Sequence, residues 1–167
     1  PCRWPFGGAR RRRGEDLSAT DGRIDHLVQG PVLQITINRP AKRNGFTPAM
    51  FAQLAKAYSL LDDSPDLRVG VLCAAGEHFT AGLDLPSFAG LMQRGEHAAA
   101  LGDVDPVNLG TKGFRRRQKP LVVAVKGITY TLGIELMLAA DIVVAADNCL
   151  FSQLEVKRGI MATGGAT

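Results

Sequence analysis

The chain has 167 residues, of which 46% are hydrophobic, 22% charged and only 6% aromatic; this fits one globular domain with a largely aliphatic core. The net charge of +4 is uneven, because residues 1–24 hold six basic residues against three acids while the rest is close to neutral. The basic excess therefore argues little for a nucleic-acid-binding protein, the reading that Arg10 to Arg13 and Arg115 to Arg117 would otherwise invite.

Taken in chain order, residues 1–23 carry four consecutive arginines and no hydrophobic periodicity. No apolar stretch follows the arginines, so a secretory signal is excluded. This segment reads as a disordered or artefactual Arg-rich leader, with an organelle transit peptide as the alternative, and residues 24–167 as the folded domain. Ile24 to Val28 and Val32 to Asn38 alternate in polarity around Gln29-Gly-Pro31, a hairpin pattern. Thr47-Pro48 is an N-cap followed by proline at the first helical position. Met50, Phe51, Leu54, Ala57, Tyr58 and Leu61 then mark one face of a helix ending near Asp63.

Arg68 to Ala74 reads as a short buried strand, Gly76 to Gly82 as a loop, and residues 86–95 and 107–117 as helices. Arg115 to Arg117 with Lys119 would then be the solvated end of the second of these. Leu121 to Val125 reads as a strand, Leu132 to Ala140 as a short apolar helix and Ile142 to Ala146 as another strand. Strands alternating with helices predict an α/β fold with mainly parallel core strands. No segment has the ~18 uninterrupted apolar residues of a membrane span. The three cysteines, Cys2, Cys73 and Cys149, show no metal spacing and read as free thiols in a reducing, cytoplasmic setting.

Two acids stand out. Glu135 lies inside the apolar helix, where a charge is costly without a task. Glu155 follows twenty positions later, just past a strand-like segment. Two carboxylates that can meet across a fold suit paired acid/base chemistry. The bland alternative for Glu155 is local pairing with Lys157 or Arg158.

Five segments in order resemble the crotonase superfamily, the enoyl-CoA hydratase/isomerase family, over roughly residues 30 to 167. They are Arg39-Pro-Ala-Lys-Arg-Asn44, His78-Phe-Thr-Ala-Gly-Leu-Asp84, Lys119-Pro120, Gly127 through Asp141 and Phe151 through Gly159. The resemblance implies a spiral of ββα units acting on acyl-CoA thioesters, with the C-terminal helical region missing after Thr167. It implies a lyase that adds water across a 2-enoyl-CoA, with Glu135 and Glu155 as its catalytic pair. The oxyanion-hole amides map to Leu83 and Leu132. Coenzyme A contacts map to Lys42, Arg43, Asn44 and Gly45, and to Ala81, Gly82 and Asp84. The alternative for Lys42 and Arg43 is a solvated turn, and for Asp84 a helix cap.

No metal or redox cofactor is implied, since coenzyme A is part of the substrate. The expected partners are that substrate and further copies of the chain, in a trimer or hexamer, with neither membrane nor nucleic acid. Isomerisation of the double bond and an inactive fragment are the rival readings. Thr131-Leu132-Gly133 replaces the glycine run common before this glutamate, and Asn44-Gly45-Phe46 replaces the commoner Asn-Ala-Leu.

Overall fold

A computed structural model describes residues 21–93, 104–107 and 113–159. Its elements are β1 (Arg23–Gln29), β2 (Val32–Asn38), α1 (Pro48–Asp63), β3 (Val69–Ala74), α2 (Leu85–Gln93), β4 (Leu121–Val125), β5 (Ile128–Tyr130), α3 (Leu132–Leu138), β6 (Ile142–Ala145) and β7 (Leu150–Ser152). A five-stranded sheet runs in the order β1-β2-β3-β4-β6, and β5 and β7 form a second sheet. Among the described residues only β1 and β2 pair antiparallel, and the other strand pairs are parallel. The α/β fold with mainly parallel strands is thus the one the sequence predicts.

The hairpin and α1 follow directly from the pattern. Alternate residues Leu33, Ile35 and Ile37 of β2 are fully buried, as a period-2 strand requires. Thr47 accepts a hydrogen bond from Met50 N at 3.3 Å, and Pro48 occupies a position whose N–H would have no helical partner. All six residues of the apolar stripe on α1 are buried, each contributing about 1.5–3 kcal/mol for the larger side chains. The helix packs across β1, β2 and β3. Gly70 lets it come close: a Cβ there would lie 2.8 Å from Leu61 Cδ2 and 2.9 Å from Leu121 Cδ1.

β1 begins at Arg23, one residue before the sequence pattern suggests, and Arg23 pairs with Asn38. Gly22 closes over the stem of Arg39. Its φ is +74°, and a Cβ there would lie 2.6 Å from Arg39 Cδ. Gly22→Ala should therefore lower stability by about 1–3 kcal/mol, combining overpacking with a left-handed backbone. A denaturant midpoint equal to that of the parent would contradict this.

Two expectations are corrected. The described part of the segment expected to be helical, 113–117, is not helical: Arg115 forms a β-bridge with Val104. Residues 108–112 lie outside the described residues. Arg117 is not at a solvated helix end either. Its side chain is only 6% exposed, pairs with Asp141 at 2.9 Å and donates to Ala139 O at 2.8 Å. Arg115 pairs with Asp63 at 3.0 Å, and Asp62 accepts from the N–H groups of Gln118 and Lys119. These anchors hold the segment extended along α1 and the entrance to β4. The strand expected at Ile142 to Ala146 is present as β6; among the described residues it lies at the edge of the sheet and is exposed along its whole length, with Ile142 and Val144 more than half exposed.

Asp141 fastens β4 by accepting from Leu121 N at 2.8 Å. Partial burial works against its charge, but the Leu121 N–H and the Arg117 guanidinium outweigh it and hold the pKa below the usual carboxylate value. A depressed folded pKa gives stability that is complete above the unfolded value of about 4 and fades as pH falls through the lower folded value. Asp141→Asn should lower the melting temperature modestly at pH 7, since the carboxylate is half-exposed. The gap should close below about pH 4. A gap that persists at pH 2 would contradict the assignment.

Among the described residues, no helix is long and apolar enough to cross a membrane. Cys73 is buried, with its Sγ 3.6 Å from Thr36 Oγ1, and Cys149 is half-buried; neither forms a disulfide among the described residues.

Candidate active site

The feature that organises the site is one the sequence does not announce. The short strands β5 and β7 run parallel, with Ile128 opposite Leu150, Thr129 opposite Phe151 and Tyr130 opposite Ser152. On the other side of β5, Thr80 forms a parallel bridge with Thr129. Tyr130 N donates to Thr80 O and Thr131 N to Ser152 O, both at 3.0 Å. Three extended segments thus point the same way, in the order Thr80, β5, β7. Their C-terminal ends lead to Leu83, to Leu132 and Glu135, and to Glu155. The C-terminal ends of parallel strands are the usual ligand side of α/β folds.

Leu83 is bracketed by backbone hydrogen bonds. Phe46 N donates to Gly82 O, and Asp84 N donates to Phe46 O, both at 2.8 Å. In such a parallel bridge the residue between the two bonds turns its own N–H the other way. The Leu83 N–H therefore faces away from Phe46. Leu132 is the first residue of α3; Ile134 N and Glu135 N fold back onto Thr131 O at 2.8 and 3.2 Å. The Leu132 N–H precedes that ladder, among the amides a helix leaves without an internal partner.

The two amide-bearing segments touch. Gly82 has φ +99°, and a Cβ there would lie 2.0 Å from Thr131 Oγ1. Thr131 is itself unusual, a β-branched residue at φ +48° and ψ −110°. Its threonine, where the family pattern favours glycine, is accommodated because Gly82 has no side chain. Gly133 makes a second close approach: a Cβ there would lie 2.9 Å from Thr80 Cγ2.

The two acids sit at the ends described. Glu135 is half-buried on the first turn of α3. Glu155, also half-buried, opens a 3-10 turn, Glu155–Arg158, three positions after the end of β7. Its Oε2 is buried and has no hydrogen-bond partner among the described residues. Among the described residues no ion pair links it to Lys157 or Arg158. A buried carboxylate oxygen without a partner is costly, and a ligand could supply the missing donor.

The residues mapped to coenzyme A fall into two groups. Lys42 and Arg43 are exposed. Arg43 borders a cleft of about 370 Å³, with Pro40, Ala41 and Asn44 beside it and Gly76, Glu77 and His78 opposite. Asn44, Gly45 and Gly82 are buried, Ala81 and Asp84 half-buried. Asn44 adopts φ +55° and is fully enclosed. Its Oδ1 accepts from Arg39 N at 2.7 Å, and its Nδ2 donates to Ala75 O and His78 O, both at 2.8 Å. This side chain shapes the turn. Ala81 N donates to Arg43 O at 2.9 Å, which fixes the turn beside the Leu83 loop. The Asp84 carboxylate does not cap α2; it accepts from Arg39 Nη1 at 2.7 Å. His78 Nδ1 accepts from Ile128 N at 3.3 Å, a structural task.

Comparison with known proteins bears on the family and the fold. The family model described as enoyl-CoA hydratase/isomerase matches residues 28–167. A mevalonyl-coenzyme A hydratase of Beauveria bassiana is 39% identical over 143 residues, covering 83% of this chain and 51% of that protein. A carnitinyl-CoA dehydratase of Salmonella enteritidis is 35% identical over 148 residues, covering 84% and 52%. The crystal structure of a probable enoyl-CoA hydratase/isomerase from Mycobacterium abscessus superposes with a TM-score of 0.77 at 48% identity, covering 87% of this chain and 54% of that one. The chain thus spans about half the length of the proteins it matches. It belongs to the enoyl-CoA hydratase/isomerase family, within the crotonase superfamily.

Proposed function

We propose that this chain carries the catalytic centre of an enoyl-CoA hydratase, which adds water across the 2,3 double bond of an enoyl-CoA thioester. The observation that carries the reading is the convergence of the ends of Thr80, β5 and β7. The segments that carry Leu83, Leu132 and Glu135, and Glu155 all follow the C-terminal ends of these parallel strands, which supports a shared site. The thioester oxygen lies between the Leu83 and Leu132 N–H groups, which stabilise it as negative charge arrives. Glu135 holds a water and takes its proton as the oxygen adds to Cβ. Glu155 supplies the proton to Cα. The water is divided between Cβ and Cα, and no electrons change hands.

The two acids favour hydration over double-bond isomerisation, which needs one proton shuttle and no water-activating base. The names of two relatives, a hydratase and a dehydratase, point to the same chemistry. Arg43 presents a cation beside the cleft, and Lys42 stands exposed next to it in sequence; both charges suit the phosphates of coenzyme A. Remote binding of the nucleotide and pantetheine would help place the acyl carbonyl.

The reading is tested with crotonyl-CoA, following loss of the conjugated thioester absorbance. Turnover of crotonyl-CoA and none of free crotonate is expected, because a carboxylate is a poor acceptor of enolate charge and lacks the remote handle. Comparable turnover of the two would contradict the assignment.

A further inference from the structure

Arg39 is a buried cation that touches both sides of the Leu83 bridge. Its side chain is 9% exposed, enclosed in part by Gly22. Its Nη1 donates to Gly45 O at 3.0 Å and to Asp84 Oδ2 at 2.7 Å. The placement of these acceptors matters. The Gly45–Phe46 peptide gives its N–H to Gly82 O and its carbonyl to Arg39. Asp84 gives its N–H to Phe46 O and its carboxylate to Arg39. One guanidinium thus holds the residue before Phe46 and the residue after Leu83, clamping the two bonds that aim the Leu83 amide.

The geometry points to Arg39 as the positioning residue for the Leu83 amide, a role that rests on the oxyanion reading above. It acts through the backbone and does not touch the substrate. The turn that borders the coenzyme A cleft has its own anchors, because the Asn44 side chain bonds to the backbone of Arg39, Ala75 and His78 whatever side chain stands at 39. Loss of the guanidinium should therefore loosen the Leu83 loop more than the cleft. A buried charged hydrogen bond that serves two acceptors has no equivalent in a neutral side chain. Misplacement by about 1 Å can cost on the order of 100-fold in rate.

The test uses butyryl-CoA labelled with carbon-13 at the carbonyl, which binds but cannot be hydrated. Isotope-edited infrared spectroscopy reads how far the thioester band moves to lower frequency on binding. The unaltered chain should show a clear displacement. Arg39→Gln should retain less than half of it, Arg39→Lys an intermediate part, and the Kd for butyryl-CoA should stay within about threefold. Turnover of crotonyl-CoA by Arg39→Gln should fall about 10–100-fold at little change in KM. Asp84→Asn cuts the same link from the other side and should lose the displacement in parallel, which keeps the test available if Arg39→Gln fails to fold. Full displacement in a folded Arg39→Gln or Asp84→Asn variant overturns the proposal alone. Binding without displacement in the unaltered chain overturns the oxyanion reading, and the proposal with it.

Discussion

Glu135→Gln and Glu155→Gln should each lower hydration of crotonyl-CoA by about 10²–10⁴-fold, the usual range for acid/base groups. The substitution keeps size and shape but removes the ability to take or give the proton. Binding should change little, because under the proposed function the nucleotide, the pantetheine and the amide pair would supply the affinity for the thioester. The two variants should differ in what they leave behind. Glu155→Gln removes a buried oxygen that has no partner among the described residues and places a neutral amide there, so its melting temperature should hold or rise. A catalytic group kept at some cost to stability behaves this way. Near-parental turnover by either variant would remove that residue from the mechanism.

Gly82→Ala should damage both stability and activity. The added Cβ would lie 2.0 Å from Thr131 Oγ1, and the backbone stands at φ +99°, which alanine resists. Overpacking of about 1–3 kcal/mol adds to a backbone cost of about 1–2 kcal/mol. Relief requires that the Leu83 loop move away from the start of α3, which would separate the two amides. A loss of roughly 100-fold in turnover is expected from such a displacement. Thr131→Gly removes the atoms that clash and suits the positive φ of that position. The double variant Gly82→Ala/Thr131→Gly should therefore recover part of both losses, an interaction visible in a double-mutant cycle. Strictly additive effects would show that the two residues do not press on one another.

What could be read from the sequence and what could not divides along physical lines. α1 was legible because Thr47-Pro48 fixes its start and its apolar face recurs at helical spacing. β2 and β4 were legible as alternating or continuous aliphatic runs. β5 and β7 were not. Each has three residues, too few to show a period, and their pairing joins positions 128 and 150. Yet these strands align the ends from which both glutamates emerge. Extended structure at Arg115 to Arg117 was hidden for a similar reason, because acids on α1 and before β6 set it.

The site shows the same division. Glu135 and Glu155 were visible as acids in unusual company and by family resemblance. The Arg39 clamp was invisible, since its acceptors lie 6 and 45 positions away and one is a backbone carbonyl. Asp84 was expected as a possible helix cap, and only the fold reveals the buried cation that draws its carboxylate aside. The tolerance of Thr131 at a glycine-like position follows from Gly82, 49 positions earlier, through a contact that no local pattern encodes.

The account is tested most directly by the fate of solvent atoms. The chain is incubated with crotonyl-CoA in D₂O enriched in oxygen-18, and the product is examined by mass spectrometry and NMR. Hydration by the two glutamates predicts a 3-hydroxyacyl-CoA with one oxygen-18 at Cβ and one deuterium added at Cα, both absent with the double variant Glu135→Gln/Glu155→Gln. A product whose double bond has moved, carrying deuterium but no oxygen-18, or the same labelled hydroxyacyl product from the double variant, would contradict it.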